Sequence, residues 1–435
     1  YPDTLSLLQL CSSTSVTNQN NSVSQPSATG DLSINRKIKL LRITTVPISL
    51  QLLLKGQFRY MIDQGYEVIT VSAEGSGAED VKAEGAQHIA IPFTRKITPI
   101  QDLVCLFKLI DVIKEIRPDI IHTHTPKAGL LGMLAGRICN VPVRMHTVAG
   151  LPLMEAKGFK RRILEFTERL TYSAAHRVYP NSKGLEDFMI RELQVDPQKV
   201  GIIGKGSSNG IDTTYFSSTP ELIIEARSIR NKYNVRQHDI VFGFIGRVVR
   251  DKGIVELVAA FKRLRDNLNR QDDSKSYYLL IVGPFEELLD PLPSDVMTFL
   301  KEDPNVILPG FQKDVRPWLI ASDIFVFPSY REGFPNVVMQ ASLLEVPSIV
   351  SDINGCNEII EDGVRGLIVS VKNVDQLLNT MQTLAGDSSM RKKYAMAAKT
   401  FVESNYDRNV VWSEIRKEYE MRLGMVTNFK GSPED

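Results

Sequence analysis

From Lys37 onward, short apolar runs rich in β-branched residues alternate with longer segments in which apolar residues recur at helical spacing. This alternation is typical of parallel sheets whose strands are joined by crossover helices. The first half of the chain contains six candidate strands, KIKLLRITT, YEVITVS, IRPDIIHTH, VPVRMHT, HRVYPNS and KVGIIGKG. Helical spacing is clearest in segments 100–116 and 159–174. The pattern predicts one doubly wound α/β domain over residues 37–212.

The same alternation restarts after residue 213. Its candidate strands are DIVFGFIG, YYLLIVG, NVILPG, DIFVFPS, VPSIVS and RGLIVS. They predict a second doubly wound domain over residues 213–407, and we expect a helix at about 408–423 to return to the first domain. Ligands of such sheets bind beyond the carboxyl ends of the strands, so a ligand site is expected between the domains.

From Cys11 to about Asn35 the chain is mainly Ser, Thr, Asn and Gln with almost no apolar content, and residues 1–36 are predicted to be a disordered polar lead. The four cysteines (Cys11, Cys105, Cys139 and Cys356) lack the paired spacing of a disulfide framework or a zinc site. A reducing cytoplasm is therefore expected. No apolar run approaches the roughly 18 residues of a membrane-spanning helix, which predicts a soluble or peripheral protein.

Lys and Arg number 52 against 51 Asp and Glu, so no overall charge favours nucleic acid as a partner. An anionic ligand would therefore have to be bound by a local cluster of basic residues. One candidate is FIGRVVRDKG, where Arg247 follows a predicted strand and Lys252 precedes a helix expected to begin near Gly253. Two cations and the free N–H groups of a helix can hold a diphosphate, although a solvated basic loop has the same pattern.

A second candidate is SYREGFPNVVMQAS, in which Glu332 follows a predicted strand and Pro335 suits the first turn of a helix. On that loop the Glu332 carboxylate can accept hydrogen bonds from two sugar hydroxyls, and Gly333 lets backbone approach the ligand. The alternative is that Glu332 only complements the helix dipole.

Two histidines end the strand in DIIHTHTPKAGLLG. Alternation places His122 and His124 on the same side of that strand. Hydrogen bonding to a substrate is favoured over a metal site, because no further Cys, His or acidic ligand clusters nearby in the sequence. A structural role also fits His122. Elsewhere, Asn209 and Gly210 predict a tight turn.

Segment 159–174 combines Phe159 and Phe166 with a run of cations, Lys160, Arg161 and Arg162. Such a helix can lie against an anionic membrane. An ordinary solvated helix face explains the pattern equally well.

Five motifs in order (H-T-H-T-P, N-G-I-D, G-R-x-x-x-x-K-G, R-E-G-F-P and INGCNEIIEDGVRGLIV) resemble the retaining, nucleotide-sugar-dependent glycosyltransferases called group one or family four. The resemblance spans about Ile38 to Leu423. It implies the GT-B fold, two Rossmann-like domains facing across a cleft. It is strongest to the bacterial branch that extends lipid-linked oligosaccharides for surface polysaccharides.

By this resemblance Arg247 and Lys252 hold the diphosphate of the donor, and Glu332 contacts hydroxyls of the transferred sugar. His124 matches the histidine that approaches the donor sugar near the reacting centre. Members of the family need no metal for catalysis as a rule, and the chain has no Asp-x-Asp triplet. We therefore expect no cofactor and no metal ligand.

The resemblance also assigns backbone contacts with sugar and phosphate to Phe334, Pro335 and Asn336. Gly310 and Phe311 resemble the loop that receives the base.

The chain departs from the family pattern at two places. A two-glycine loop after the first strand is reduced here to Gly56, which we assign with His122 to the acceptor side. The residue eight positions after Glu332, a glutamate in the family that binds the ribose, is Gln340. Its amide still offers an acceptor, but without charge assistance, so weaker donor binding is expected.

The predicted function is a retaining transfer of a hexose or N-acetylhexosamine from a nucleoside diphosphate, with UDP expected, to a lipid-linked saccharide at the inner face of the membrane. One alternative is a sugar-nucleotide epimerase or phosphorylase on the same fold, for which no acid–base pair or cofactor lysine is found. Another is a degenerate transferase that only binds, favoured by Gln340 and opposed by Arg247, Lys252, Glu332 and His124.

Overall fold

A computed structural model describes residues 36–154, 156–269, 275–286 and 290–430. The predicted polar lead lies outside these ranges except for Arg36, and Cys11 lies outside with it. The three cysteines inside the ranges are free thiols, namely Cys105, Cys139 and Cys356. None of the helices in the described ranges combines the length and the apolar content that crossing a bilayer requires.

The first domain is built on a six-stranded parallel sheet with the order β3-β2-β1-β4-β5-β6. Its strands are β1 (Lys39–Ile43), β2 (Glu67–Ser72), β3 (Gln87–Ala90), β4 (Ile120–His124), β5 (Val143–Val148) and β6 (Arg177–Pro180). The central strand β1 pairs in parallel with β2 and β4, with Leu41 opposite both Ile69 and Ile121. Strands are added in one direction from β1 to β3 and in the opposite direction from β4 to β6. A crevice forms at the carboxyl ends of the strands where this order reverses, between β1 and β4.

Seven helices connect and cover this sheet. They are α1 (Pro47–Leu53), α2 (Gln57–Asp63), α3 (Ala78–Ala83), α4 (Pro99–Ile116), α5 (Pro126–Ile138), α6 (Gly158–Ala174) and α7 (Lys183–Arg191). The helices predicted over 100–116 and 159–174 are confirmed as α4 and α6. The inner strands are buried on both faces, which is why they are nearly continuous apolar runs.

The first domain differs from the sequence prediction at two strands. KVGIIGKG is not a strand, because only Val200 forms a single bridge to Val178 and the chain then turns through Gly204 and Gly206 at positive φ. The sixth strand is instead β3, whose Gln87 and Ala90 are exposed. A short, half-exposed edge strand has too few apolar residues for its periodicity to be recognised.

The second domain contains all six predicted strands. They form a parallel sheet with the order β12-β11-β10-β7-β8-β9. The strands are β7 (Ile240–Ile245), β8 (Tyr277–Val282), β9 (Val306–Gly310), β10 (Ile324–Phe327), β11 (Ser348–Ser351) and β12 (Leu367–Val369). Counted within its own domain, this sheet repeats the order of the first, with the winding reversed between β7 and β10.

The remaining helices belong to the second half of the chain. They are α8 (Pro220–Lys232), α9 (Ile254–Asn269), α10 (Ser294–Glu302), α11 (Arg316–Ile320), α12 (Asn336–Leu343), α13 (Cys356–Ile359), α14 (Val374–Gly386), α15 (Ser388–Tyr406) and α16 (Arg408–Lys430). A 3-10 turn, Arg250–Lys252, precedes α9.

Two backbone segments cross between the domains side by side. The N–H of Ile211 donates to the carbonyl of Tyr406 at 2.8 Å, and the N–H of Arg408 donates to the carbonyl of Ile211 at 3.0 Å. Gly210, in the predicted Asn-Gly turn, has φ +63°. A Cβ there would lie 2.6 Å from the carbonyl oxygen of Tyr406, so only glycine lets the segments approach this closely.

After the second crossing, α16 returns to the first domain. Its Val411, Ile415 and Tyr419 are buried in one apolar cluster with Leu40 and Phe58. The first domain is therefore completed by the C-terminal helix.

Trp412 of α16 anchors this contact. It is 5 % exposed, and its Nε1–H donates to Oδ1 of Asn209 at 2.7 Å. A Cβ on Gly56 would lie 2.7 Å from the Trp412 ring, and Gly56 has φ +83°. The structure thus places Gly56 in a packing contact with α16.

Replacing Trp412 with alanine should lower the free energy of unfolding by about 3–5 kcal/mol, because a large cavity forms between α2 and α16. Urea denaturation followed by circular dichroism measures this change. Val410→Ala is the matched control, since Val410 lies on the same helix and is 39 % exposed. Equal midpoints for the two variants would contradict a structural role for the α16 contact.

Candidate active site

A cavity of about 750 Å³ lies between the carboxyl ends of the two sheets. The side chains that the first domain contributes to its wall are apolar and include Leu151, Met154 and Leu185. The wall of the second domain is charged and includes Lys252 and Glu332. The two walls therefore suit different parts of a ligand.

The charged wall lies at the winding reversal of the second sheet. Arg247 follows β7, Lys252 ends the turn before α9, and Glu332 lies on the loop after the adjacent strand β10. The Lys252 Nζ atom is 2.5 Å from Oε1 of Glu332, and the two side chains are 12 % and 18 % exposed. Ser329 Oγ donates to the same carboxylate oxygen at 3.0 Å. The structure thus joins two sequence candidates in one half-buried ion pair.

The turn and the loop are also held together through their backbones. The N–H of Tyr330 donates to the carbonyl of Asp251 at 2.8 Å. A Cβ on Gly253 would lie 2.0 Å from the carbonyl oxygen of Pro328. The Lys-Gly pair is therefore explained physically, because the glycine lets the turn that carries Lys252 lie directly on the end of β10.

Arg247 also holds a carboxylate. Its Nη1 donates to Oε2 of Glu286 at 2.8 Å, and the Arg247 side chain is 45 % exposed. Carboxylates and phosphates offer similar charged acceptors to guanidinium and ammonium groups. An incoming phosphate can therefore replace Glu286 and Glu332 as the partner of these cations.

Helix α12 begins one residue later than predicted. Pro335 is its N-cap and Asn336 its first residue, because Pro335 has the extended ψ of 104°. The Phe334 ring packs against Tyr406, with ring centroids 5.1 Å apart. Asn336 is exposed. The loop before α12 therefore connects the charged wall to the crossing segments.

Three further sequence candidates are not among the residues that line the cavity. Gln340, on α12, is partly exposed, and its side-chain amide forms no hydrogen bond with the part of the chain that the structure describes. Gly310 (φ +73°) ends β9, and Phe311 is 73 % exposed. Both lie at the carboxyl edge of the second sheet, two strands from β7.

The two histidines of β4 lie on the same side of the strand, with stacked rings whose centroids are 4.6 Å apart. His122 has partners at both ring nitrogens. Nδ1 is 2.6 Å from the Tyr419 hydroxyl, and Nε2 is 2.7 Å from Oγ1 of Thr147. Its hydrogen bonds within the protein are therefore complete.

His124 differs, because its contacts leave one ring nitrogen available. Its Nε2 lies 2.7 Å from Nη2 of Arg42. A guanidinium can only donate, so Nε2 accepts and the proton of the neutral ring resides on Nδ1. Burial, and then the Arg42 charge, lower the pKa of His124 well below its usual value. The Nδ1–H group is buried and has no partner among the described residues.

The backbone beside His124 is strained. Thr125 has φ +71°, which is unusual for a β-branched residue. Its hydroxyl is held by Thr45, whose backbone N–H donates to it at 3.2 Å. Strain of this kind persists where surrounding contacts fix the chain, and it is concentrated at functional sites.

Sequence reasoning missed Arg42 and Tyr419. Arg42 is fully buried, and its Nη1 donates to the Tyr419 hydroxyl at 2.6 Å. The same hydroxyl lies 2.6 Å from Nδ1 of His122, so it links Arg42 to that ring. A charged residue in the middle of the apolar strand KLLRI was a signal for Arg42. The sequence contained no signal for Tyr419, because this residue lies near the opposite end of the chain from β1 and β4.

The two domains touch beside the cavity. The Glu358 carboxylate accepts from the backbone N–H of Lys183, at 2.9 and 2.8 Å, at the start of α7. A Cβ on Gly333 would lie 2.0 Å from the carbonyl oxygen of Ala149. The loop that carries Glu332 therefore directly contacts the first domain.

Known proteins match this chain over both domains. Residues 54–206 match the model described as "Glycosyl transferase 4-like domain", and residues 239–387 match "Glycosyl transferases group 1". The capsular polysaccharide biosynthesis glycosyltransferase CapM of Staphylococcus aureus is 32 % identical over 384 residues, which cover 88 % of this chain and 96 % of CapM.

Two further comparisons agree. The Escherichia coli UDP-Gal:alpha-D-GlcNAc-diphosphoundecaprenol alpha-1,3-galactosyltransferase is 27 % identical, over 82 % of this chain and 90 % of that protein. A crystal structure of a glycosyltransferase from Rickettsia africae superposes with a TM-score of 0.73 at 20 % identity, covering 89 % of this chain and 99 % of that one.

The two facing parallel sheets form the GT-B fold. With both family models matched in order and a relative above 30 % identity along nearly its whole length, the chain belongs to the group 1 glycosyltransferases.

Proposed function

We propose that the protein transfers a hexose or N-acetylhexosamine from a UDP-sugar to a lipid-linked saccharide, with retention of the anomeric configuration. The observation that carries this proposal is the Lys252–Glu332 pair on the charged wall of the cavity, beside Arg247. The name of the E. coli relative supports the choice of substrates, since it gives a UDP-sugar and a diphosphoundecaprenol acceptor.

In this proposal the donor diphosphate takes over the cations. Arg247 and Lys252 exchange Glu286 and Glu332 for phosphate oxygens, and both remain charged. They stabilise the negative charge that develops on the departing diphosphate. Side-chain cations supply this stabilisation, so we propose a reaction that is independent of metal ions.

The exchange frees Glu332 to accept hydrogen bonds from sugar hydroxyls. His124 offers its Nδ1–H as a donor from the opposite domain. An acceptor hydroxyl oxygen bonds to the anomeric carbon on the face that the diphosphate leaves. The carbon–oxygen bond to the diphosphate breaks, and the hydroxyl proton passes to the departing phosphate oxygen. Configuration is thereby retained without a protein nucleophile.

We assign the acceptor to the apolar wall of the first domain, where Leu151 and Met154 line the cavity. A lipid-linked acceptor requires peripheral contact with a membrane, and the basic start of α6 suits that contact. We place the reaction at the cytoplasmic face of the membrane, where a reducing compartment suits the free thiols.

The function as a whole is tested by incubating the purified protein with a panel of nucleotide sugars, with and without lipid-linked saccharides. We expect release of a nucleoside diphosphate that depends on both substrates. Absence of release with every pair would refute the transferase proposal and favour a protein that only binds.

Lys252 and Glu332 should have opposite effects on UDP binding. Lys252→Met should weaken binding by about 1.5–3 kcal/mol, the usual contribution of a hydrogen bond to a charged group. Glu332→Gln should bind UDP as well as the wild type or more tightly, because the amide competes less for the ammonium. Its turnover should nevertheless fall sharply, since it contacts the sugar. Calorimetry and initial rates measure the two effects.

Uridine without phosphates is the control for these variants and should bind all of them equally. Unchanged UDP affinity in Lys252→Met would place the diphosphate elsewhere, and a loss of UDP affinity in Glu332→Gln would contradict the proposed exchange of partners.

Gln340→Glu should lower the donor KM and leave kcat nearly unchanged, because a carboxylate accepts from both ribose hydroxyls with charge assistance and lies far from the reacting bond. Partial exposure at this position lets the new charge stay hydrated, so the melting temperature should change little. Gln340→Leu is the matched control and should raise KM. A higher KM for Gln340→Glu, together with a large drop in melting temperature, would identify a packing residue.

Transfer should persist in excess EDTA, since Arg247 and Lys252 supply the positive charge. Initial rates with and without the chelator measure this, and added magnesium serves as the reference. Complete loss of activity in EDTA, restored by magnesium or manganese, would contradict the metal-independent reaction.

A further inference from the structure

Helix α4 carries an exposed apolar stripe. Ile100, Leu103, Val104 and Phe107 are 85 %, 53 %, 42 % and 58 % exposed, at the spacing i, i+3, i+4, i+7 of one helix face. Ile97, just before the helix, is 66 % exposed. Single exposed apolar residues are ordinary, whereas a contiguous stripe marks an interaction surface.

The other face of α4 already forms the core. Cys105, Leu109 and Ile113 are buried against the first sheet. The helix is therefore apolar on two faces, and one of them is left uncovered within the described ranges. An ordinary surface helix has only one apolar face.

The stripe lies at the same end of the first domain as the cavity. Helices α4, α5 and α6 pack side by side. Each follows a strand of the parallel sheet, so each begins at the carboxyl edge, where the cavity lies. The stripe occupies the first turns of α4. Met154, which lines the cavity, and Phe159, at the start of α6, add exposed apolar surface at this edge.

Unpaired cations surround this apolar surface. Arg95 and Lys96 precede α4, and Lys157, Lys160 and Arg162 surround the start of α6. None of these five forms an ion pair within the part of the chain that is described. Two nearby acids among the described residues are already neutralised, as Asp102 pairs with Lys127 at 2.6 Å and Glu165 with Arg161 at 2.8 Å.

We infer that the α4 stripe inserts into the interfacial region of an anionic bilayer while the cations bind lipid headgroups. Apolar insertion combined with basic residues is the chemistry of peripheral helices on anionic membranes. A second copy of the chain fits less well, because its own cations would face those of the first. The inference rests on the proposed function only for its purpose, which is to bring the cavity to a lipid-held acceptor.

Cosedimentation of the full chain with vesicles of phosphatidylethanolamine and phosphatidylglycerol tests this inference. The double variant Ile100→Gln/Phe107→Gln should bind at least about tenfold more weakly than the wild type, since it removes two inserting side chains. The matched control is Ile224→Gln/Met396→Gln, at positions 65 % and 55 % exposed in the second domain. It should bind as the wild type does.

Insertion itself is measured with Phe107→Trp. Its fluorescence should shift to shorter wavelength and be quenched by brominated lipids, whereas Met396→Trp should show neither effect. The native Trp318 and Trp412 are 9 % and 5 % exposed and give a constant background.

The inference would be overturned if the Ile100→Gln/Phe107→Gln variant bound vesicles as strongly as the wild type does. It would also be overturned if brominated lipids did not quench the fluorescence of Phe107→Trp. A third contradicting outcome is a wild-type dimer in sedimentation velocity. It would overturn the inference if the double variant abolished the dimer and still bound vesicles as the wild type does. The vesicles contain neither donor nor acceptor, so this result is independent of transferase activity. Vesicle binding without UDP binding would refute only the proposed function.

Discussion

The paired crossing segments are the constraint on which the site depends. Hydrogen bonds between Ile211 and the chain at Tyr406 and Arg408 fix where the two domains join. Both sheets wind in the same order, so joining them here directs both carboxyl edges to one cavity. Tyr406 also packs against Phe334, two residues from Glu332. The crossing is therefore in direct contact with the loop that carries the ion pair.

The buried guanidinium of Arg42 links the stability of the fold to the state of His124. A charge in the centre of a sheet is costly to desolvate, and burial lowers the pKa of Arg42. The partners it finds are Tyr419 and His124, one from the last helix and one from β4. The packing of α16 thus supplies the hydroxyl that accepts from Nη1 of Arg42, and Nη2 of Arg42 in turn fixes the tautomer of His124. Loss of α16 would therefore alter the surroundings of the His124 ring as well as the core.

The sequence was informative where structure is local and periodic. All six strands of the second domain were predicted, because each is an apolar run buried on both faces. Lys252 and Glu332 were singled out because each lies between the end of a predicted strand and the start of a predicted helix. The ion pair between Lys252 and Glu332 was not predicted, because it depends on Gly253 bringing the turn against Pro328. Arg42 and Tyr419 are 377 positions apart, and no spacing rule relates such residues.

The Lys252–Glu332 ion pair also favours release of the diphosphate product in the proposed reaction. In the structure Glu332 neutralises Lys252, so the cavity holds little net charge at this point before a donor arrives. In the proposed reaction a bound diphosphate displaces Glu332, and Lys252 returns to Glu332 when the diphosphate is released. Glu332 therefore competes with the product for the same ammonium, which weakens product binding while the free carboxylate serves the sugar of the next donor. A glutamine here would hold the diphosphate more tightly and release it more slowly. In the proposed reaction one carboxylate, held beside Lys252 at the end of β10, thus favours both sugar recognition and product release.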